Sequence, residues 1–105
     1  VLTFNDYQIS AKATAVYNPD HKVTYPALGL AGESGEVAEK VKKWLRGDKA
    51  LDREGLLKEL GDVLWYLSAL ATDLGFSLEE VAQANVNKLL DRKSKGTLKG
   101  DGDNR

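Results

Sequence analysis

The chain is expected to be all-α, a four-helix bundle that dimerises through its helices into a larger bundle. Three observations predict this. Apolar residues recur at intervals of three and four in four separate stretches. Capping and breaking residues, not hairpin turns, separate those stretches. No convincing strand pattern occurs anywhere in the 105 residues.

The first helix is expected from about Phe4 to Tyr17. Thr3 caps it, with Asp6 three residues on in a short capping box. The segment from Asn18 to Lys22 carries Asn, Pro and Asp and reads as a loop. The second helix is expected from near Pro26 to Arg46, with Leu30, Val37, Val41, Trp44 and Leu45 as its apolar stripe. Gly32 and Gly35 lie inside it, each costing about 1 kcal/mol against Ala. They imply either a close approach to the backbone or tight helix packing. The third helix is expected from Asp52 to Leu74. Leu56, Leu60, Val63, Leu67, Leu70 and Leu74 make a bundle seam at alternating spacings of four and three. Its middle, residues 63–67, is apolar all round, which predicts a subunit interface. Ser77 and Glu80 form a full capping box for a fourth helix ending near Arg92. Residues 1–92 then form one domain. Residues 93–105 form a Gly- and charge-rich tail that reads as mobile or conditionally ordered.

Composition narrows the function. Fifteen basic against sixteen acidic residues argue against an electrostatic nucleic-acid binder. With no cysteine there is no disulfide framework and no thiolate site, which suits a cytoplasmic location. No apolar run approaches a membrane span, and the opening residues VLTFNDYQ do not resemble a signal peptide.

The chemistry rests on two carboxylate pairs. Glu33 and Glu36 on the second helix, and Glu59 and Asp62 on the third, are each spaced i, i+3. At about 100° per residue from Leu30, Glu33 lies roughly 60° and Glu36 roughly 120° from the centre of the apolar stripe. Packed antiparallel, the two helices would bring four carboxylates to one groove. Such a group repels itself unless protonated or neutralised by a cation. Hard oxygen ligands select Mg²⁺, Mn²⁺ or Ca²⁺ rather than zinc, and Mg²⁺ held by carboxylates completes its shell with water and substrate phosphate. The bland alternative is a solvated face laced by Glu36–Lys40 and Glu39–Lys43 pairs. A di-iron bundle would need Glu-x-x-His motifs, and His21, the single histidine, lies in the first loop. On the fourth helix Val81, Asn85, Lys88, Leu89 and Arg92 share a face. Lys88 and Arg92 either meet the carboxylates or hold substrate phosphate.

The run Gly29 to Glu39, then Glu59-Leu-Gly-Asp62-Val-Leu-Trp-Tyr, then Asn85-Val-Asn-Lys88-Leu-Leu-Asp-Arg92 resembles the MazG family of nucleoside triphosphate pyrophosphohydrolases. The family pattern is EExxE followed by ExxD. Glu33, Glu36, Glu59 and Asp62 match it, whereas Gly32 stands where the family has its first Glu. That departure bears on one ligand position and on the number of metals. The resemblance implies Mg²⁺-dependent cleavage of nucleoside triphosphates between the α- and β-phosphates, by a homodimer or tetramer, to clear unwanted nucleotides. It implies Glu33, Glu36, Glu59 and Asp62 as metal-holding and catalytic residues. Lys40, Lys43, Asn85, Lys88 and Arg92 are then candidate phosphate or nucleotide contacts, and Tyr17, Tyr25 and Trp44 candidate base contacts, with core packing as the plainer reading of the three rings. Two rivals stand beside it: a non-catalytic helical dimer binding a cation or basic partner, and a phosphoribosyl-ATP pyrophosphohydrolase-like enzyme.

Overall fold

A computed structural model describes residues 1–103. They form four α-helices: α1 (Phe4–Ala13), α2 (Thr24–Leu45), α3 (Arg53–Asp73) and α4 (Leu78–Lys95). A short 3-10 turn, Pro19–His21, lies in the α1–α2 connection. No strand occurs among the described residues, so the all-helical expectation holds. The α2–α3 pair is the main packing unit. α1 lies across α3, and α4 packs on α1 and α3.

Local chemistry sets the helix ends. Thr3 Oγ1 accepts from the Asp6 N–H at 3.0 Å, and Asp6 accepts from the Thr3 N–H, so α1 opens on a complete capping box. The same device starts α4, through Ser77 and Glu80. Asp52 caps α3 by accepting from the Gly55 N–H at 3.0 Å.

Three boundaries differ from the sequence expectation. α1 stops at Ala13 rather than Tyr17, because tertiary partners compete for the following residues. The Thr14 hydroxyl donates to the Ala11 carbonyl and accepts from the Trp65 indole, and Tyr17 turns away to Asp73. α2 begins at Thr24, two residues before Pro26, which sits buried in its first turn. Val23 leads into it with φ 67° and ψ −54°, and the Thr24 N–H donates to the Lys22 carbonyl at 2.7 Å. This is a positive-φ γ-turn, which costs a β-branched residue about 1–3 kcal/mol. α4 runs to Lys95, three residues beyond Arg92, helped by an Asp91–Lys95 pair at 3.0 Å. It stops at Gly96, whose φ of 71° suits a left-handed cap. The tail therefore begins as helix and then folds back as turns over α4.

Among the described residues nothing of this chain lies within 4 Å of a Cβ built at Gly32 or Gly35, so packing within the chain does not require glycine there; it does at Gly29, where a Cβ would collide with the Tyr66 ring.

The molecule is open. Its radius of gyration is 16.4 Å, against about 13 Å for a compact domain of this length. Only Ala11, Ala69, Ala71 and Leu78 are fully buried hydrophobic residues among those described, apart from Pro26. Leu28, Leu45, Leu57 and Leu60 are each more than half exposed along the α2–α3 pair.

Candidate active site

The site is built where α2 and α3 run side by side. Glu33 and Glu59 are half-buried and Asp62 is exposed. Each offers an oxygen, and these oxygens lie within 4.8 Å of one another. The i, i+3 spacing of Glu59 and Asp62 puts both on one side of α3, facing Glu33. Glu36, one turn further along α2, is exposed and stays outside this group, though its charge is felt at Glu33. Its larger angle from the apolar stripe accounts for that. The structure thus gathers three of the four carboxylates singled out by sequence.

Glu33 carries the electrostatic load. Its pKa lies above the ordinary glutamate value. The main cause is the Glu59 carboxyl within hydrogen-bond reach, then burial, then the charges of Glu59, Asp62 and Glu36. Its Oε2 is buried with no hydrogen-bond partner. An acceptor whose nearest polar neighbours are other carboxylates calls for a proton on one of them, a donating water or a cation. The all-oxygen donor set fits a hard divalent ion rather than zinc.

Two tyrosines missed by sequence reasoning surround this group. Tyr7 of α1 has its phenol pKa raised by burial and by Asp62. Tyr66 of α3 has its own raised by burial, then by a hydrogen bond and proximity to Tyr25, then by Glu33 and Asp62. Tyr66 follows Asp62 by four residues, so the helical period places it on the same face. It lies in the stretch expected to form a subunit interface; within the chain Trp65 and Tyr66 meet each other, ring centroids 5.1 Å apart. Tyr17 stacks on Tyr25 at 4.7 Å and meets the Trp65 edge at 6.5 Å, and Tyr25 lies 6.2 Å from Tyr66. These rings, with Thr14, Asn18 and His21, border an open concavity of about 420 Å³.

The cationic residues are placed elsewhere. Lys40 pairs with Asp52 at 3.3 Å, not with Glu36, and Lys43 reaches Glu39 at 3.9 Å. Lys88 and Arg92 do meet a carboxylate, but it belongs to the tail. Asp103 Oδ1 accepts from Lys88 at 3.1 Å and from Arg92 at 3.3 Å, and Arg92 also donates to the Gly102 carbonyl at 3.2 Å. Arg92 is 5% exposed. Asn85 is exposed beside an apolar groove that includes Phe76, Val81 and Lys88. Trp44 is 49% exposed and joins none of the ring pairs above. Within one chain, then, Tyr17 and Tyr25 lie in the aromatic set bordering the carboxylates. No hydrogen bond or ion pair among the described residues ties Lys40, Lys43, Asn85, Lys88, Arg92 or Trp44 to those carboxylates.

Fold and site together define a small all-helical protein that concentrates carboxylates in the cleft between two helices. The chain belongs to the MazG family: the MazG nucleotide pyrophosphohydrolase domain matches residues 23–97, from the turn before α2 to the end of α4. It is also similar to the Gene 37 protein of Mycobacterium phage L5. The two are 44% identical over 109 residues, covering 94% of this chain and 96% of that protein. No solved structure matches the chain. Enzymes of this family generally depend on a divalent cation, which agrees with the acidic cluster. No helix among the described residues is long and apolar enough to cross a membrane.

Proposed function

We propose that the protein is a Mg²⁺-dependent nucleoside triphosphate pyrophosphohydrolase. Water is added across the bond between the α- and β-phosphates, giving a nucleoside monophosphate and pyrophosphate. One observation carries the reading: three carboxylates within 4.8 Å around a buried Glu33 oxygen that has no donor, in a chain of this family. Glu33, Glu59 and Asp62 would hold the ion. When bound, Mg²⁺ (or Mn²⁺) neutralises polyphosphate charge and makes a coordinated water more acidic.

The chain's own residues supply the rest. Glu36 is exposed one turn from Glu33, suited to accept a proton from the attacking water. Lys40 and Lys43 lie one and two turns further along α2. Their carboxylate partners are at the surface, so exchange for phosphate costs little. Lys88 and Arg92 offer a second phosphate contact and Asn85 a nucleotide contact, supplied by another subunit or after the tail releases them. Tyr17 and Tyr25 present ring faces for the base. Trp44 would act at the periphery.

The exposed leucines of α2 and α3, with the low burial of the chain, support a homodimer or tetramer that covers this face. No nucleic-acid or membrane partner is invoked. A cytoplasmic location goes with this reading.

The test is pyrophosphate release from a panel of ribo- and deoxyribonucleoside triphosphates with Mg²⁺. Expected is activity abolished by EDTA and by Glu59→Gln. Activity that survives either, or release of orthophosphate in place of pyrophosphate, overturns the assignment.

A further inference from the structure

Asp73 is an oddly placed acid. It ends α3, where a carboxylate faces the negative end of the helix dipole. What offsets this is a pair of hydrogen bonds to one oxygen. The Tyr17 hydroxyl donates to Asp73 Oδ2 at 2.8 Å, and the Val23 N–H donates to the same atom at 2.9 Å. One donor, Tyr17, lies within the α1–α2 connection and the other, Val23, at its end, so a single carboxylate oxygen ties that loop to α3 at two points. The 3-10 turn lies between the two donors, and Val23 is itself the centre of the strained γ-turn, which the Asp73 contact holds in place. The Tyr17 phenol is correspondingly pushed up to about 12, by burial first and then by its bond to Asp73 and that group's charge.

Asp73 does not border the 420 Å³ concavity; Tyr17 does. Tyr17 in turn stacks at 4.7 Å and 20° on Tyr25, which abuts Tyr66, and Tyr66 senses Glu33 and Asp62. The concavity falls in the size range of small-ligand sites, about 300–1,000 Å³.

We propose that Asp73 is a positioning residue that fixes the Tyr17–Tyr25 aromatic wall against which the substrate's base docks, and so sets base discrimination. This rests on the proposed triphosphate chemistry but concerns the base rather than the phosphates. Asp73 touches no substrate. It acts by holding one ring in register through the phenol oxygen and by fixing the loop that carries it.

The experiment compares wild type with Asp73→Ala, Asp73→Asn and Tyr17→Phe. Two quantities are read: equilibrium affinity for a nucleoside triphosphate panel and for inorganic triphosphate, by isothermal titration calorimetry, and steady-state pyrophosphate release. Expected for Asp73→Ala is nucleotide affinity weakened roughly tenfold, the scale of one lost base–aromatic stack. The spread among bases should narrow, KM should rise with kcat nearly unchanged, and inorganic triphosphate should bind as before. Asp73→Asn, which keeps an acceptor, should recover part of the loss. The effects of Asp73→Ala and Tyr17→Phe should overlap rather than add in the double variant.

Unchanged affinities and base ranking in Asp73→Ala overturn the proposal. So does equal weakening toward inorganic triphosphate, which would mark a general loosening of the fold. If Asp73→Ala does not fold, Asp73→Asn and Tyr17→Phe decide by the same criteria. Base-dependent binding that responds to Asp73 without any pyrophosphate release would overturn the reaction and keep the clasp.

Discussion

The α2–α3 cleft and the face of α4 that carries Lys88 and Arg92 both hold clusters of charge, but they reach neutrality differently. In the cleft Glu33, Glu59 and Asp62 share one sign, and the Glu33 oxygen has no donor. On α4 the two cations Lys88 and Arg92 find their counter-charge within the chain, at Asp103. A like-charged cluster must import a proton or a cation; an opposite-charged pair imports nothing until a stronger anion displaces its partner. The cleft is therefore committed to an external ligand. The α4 cluster is closed by the chain itself and is open to competition.

The strongest test of this contrast removes one cleft carboxylate. Glu33→Gln should lower pyrophosphate release by at least about 100-fold, the scale of losing a principal charge-stabilising group. In the presence of a chelator the same substitution should raise the melting temperature at neutral pH, because it removes like-charge repulsion. A variant both inactive and less stable without metal would mean the cluster is not strained. The corresponding change on α4 has the opposite sign. Arg92→Ala should destabilise the protein by about 1–2 kcal/mol in urea unfolding, since a side chain only 5% exposed loses its packing and its bonds to the tail. Between these lies assembly. Leu60→Glu, on the exposed side of α3, should lower the sedimenting mass toward that of one chain while the helical signal of circular dichroism survives.

How much of this was legible in the sequence depends on the range of the interaction. Caps act over three residues, so the starts of α1 and α4 follow from Thr3 and Ser77. The carboxylate pairs were legible for the same reason, and three of their four members converge. What was hidden acts across the chain. Asp73 reaches residues 50 and 56 positions away, and this draws Tyr17 out of α1 and admits the γ-turn before α2. Tyr66 reads as an ordinary apolar-face residue until Gly29 is seen to clear space for its ring. The partner of Lys88 and Arg92 was obscured because the tail has no periodicity to place it. Only fold-back puts Asp103 beside α4.

The smallest expected effect belongs to Asp103, and its smallness is informative. Its side chain is 81% exposed, so water and salt screen its bonds to Lys88 and Arg92. Asp103→Asn should leave the thermal midpoint indistinguishable from wild type at physiological salt. The carboxyl nevertheless titrates below the usual aspartate range, because Lys88 and then Arg92 favour its charged form. A depressed acid contributes stability above its unfolded pKa and loses it as pH falls through the folded value. Attachment of the tail should therefore persist at neutral pH and fail on the acid side of the ordinary aspartate range. Limited digestion with an acid-active protease should cut wild type after Gly96 increasingly as pH falls, while Asp103→Asn is cut at a rate that no longer depends on that titration. Inorganic pyrophosphate added at neutral pH should make wild type as accessible as the variant to a protease active there, because a polyanion outcompetes one carboxylate for two cations. Equal, pyrophosphate-insensitive cutting of both proteins would show that the tail is held by something other than Asp103, and the contrast between a cleft needing an external ion and a self-neutralised α4 would lose its second half.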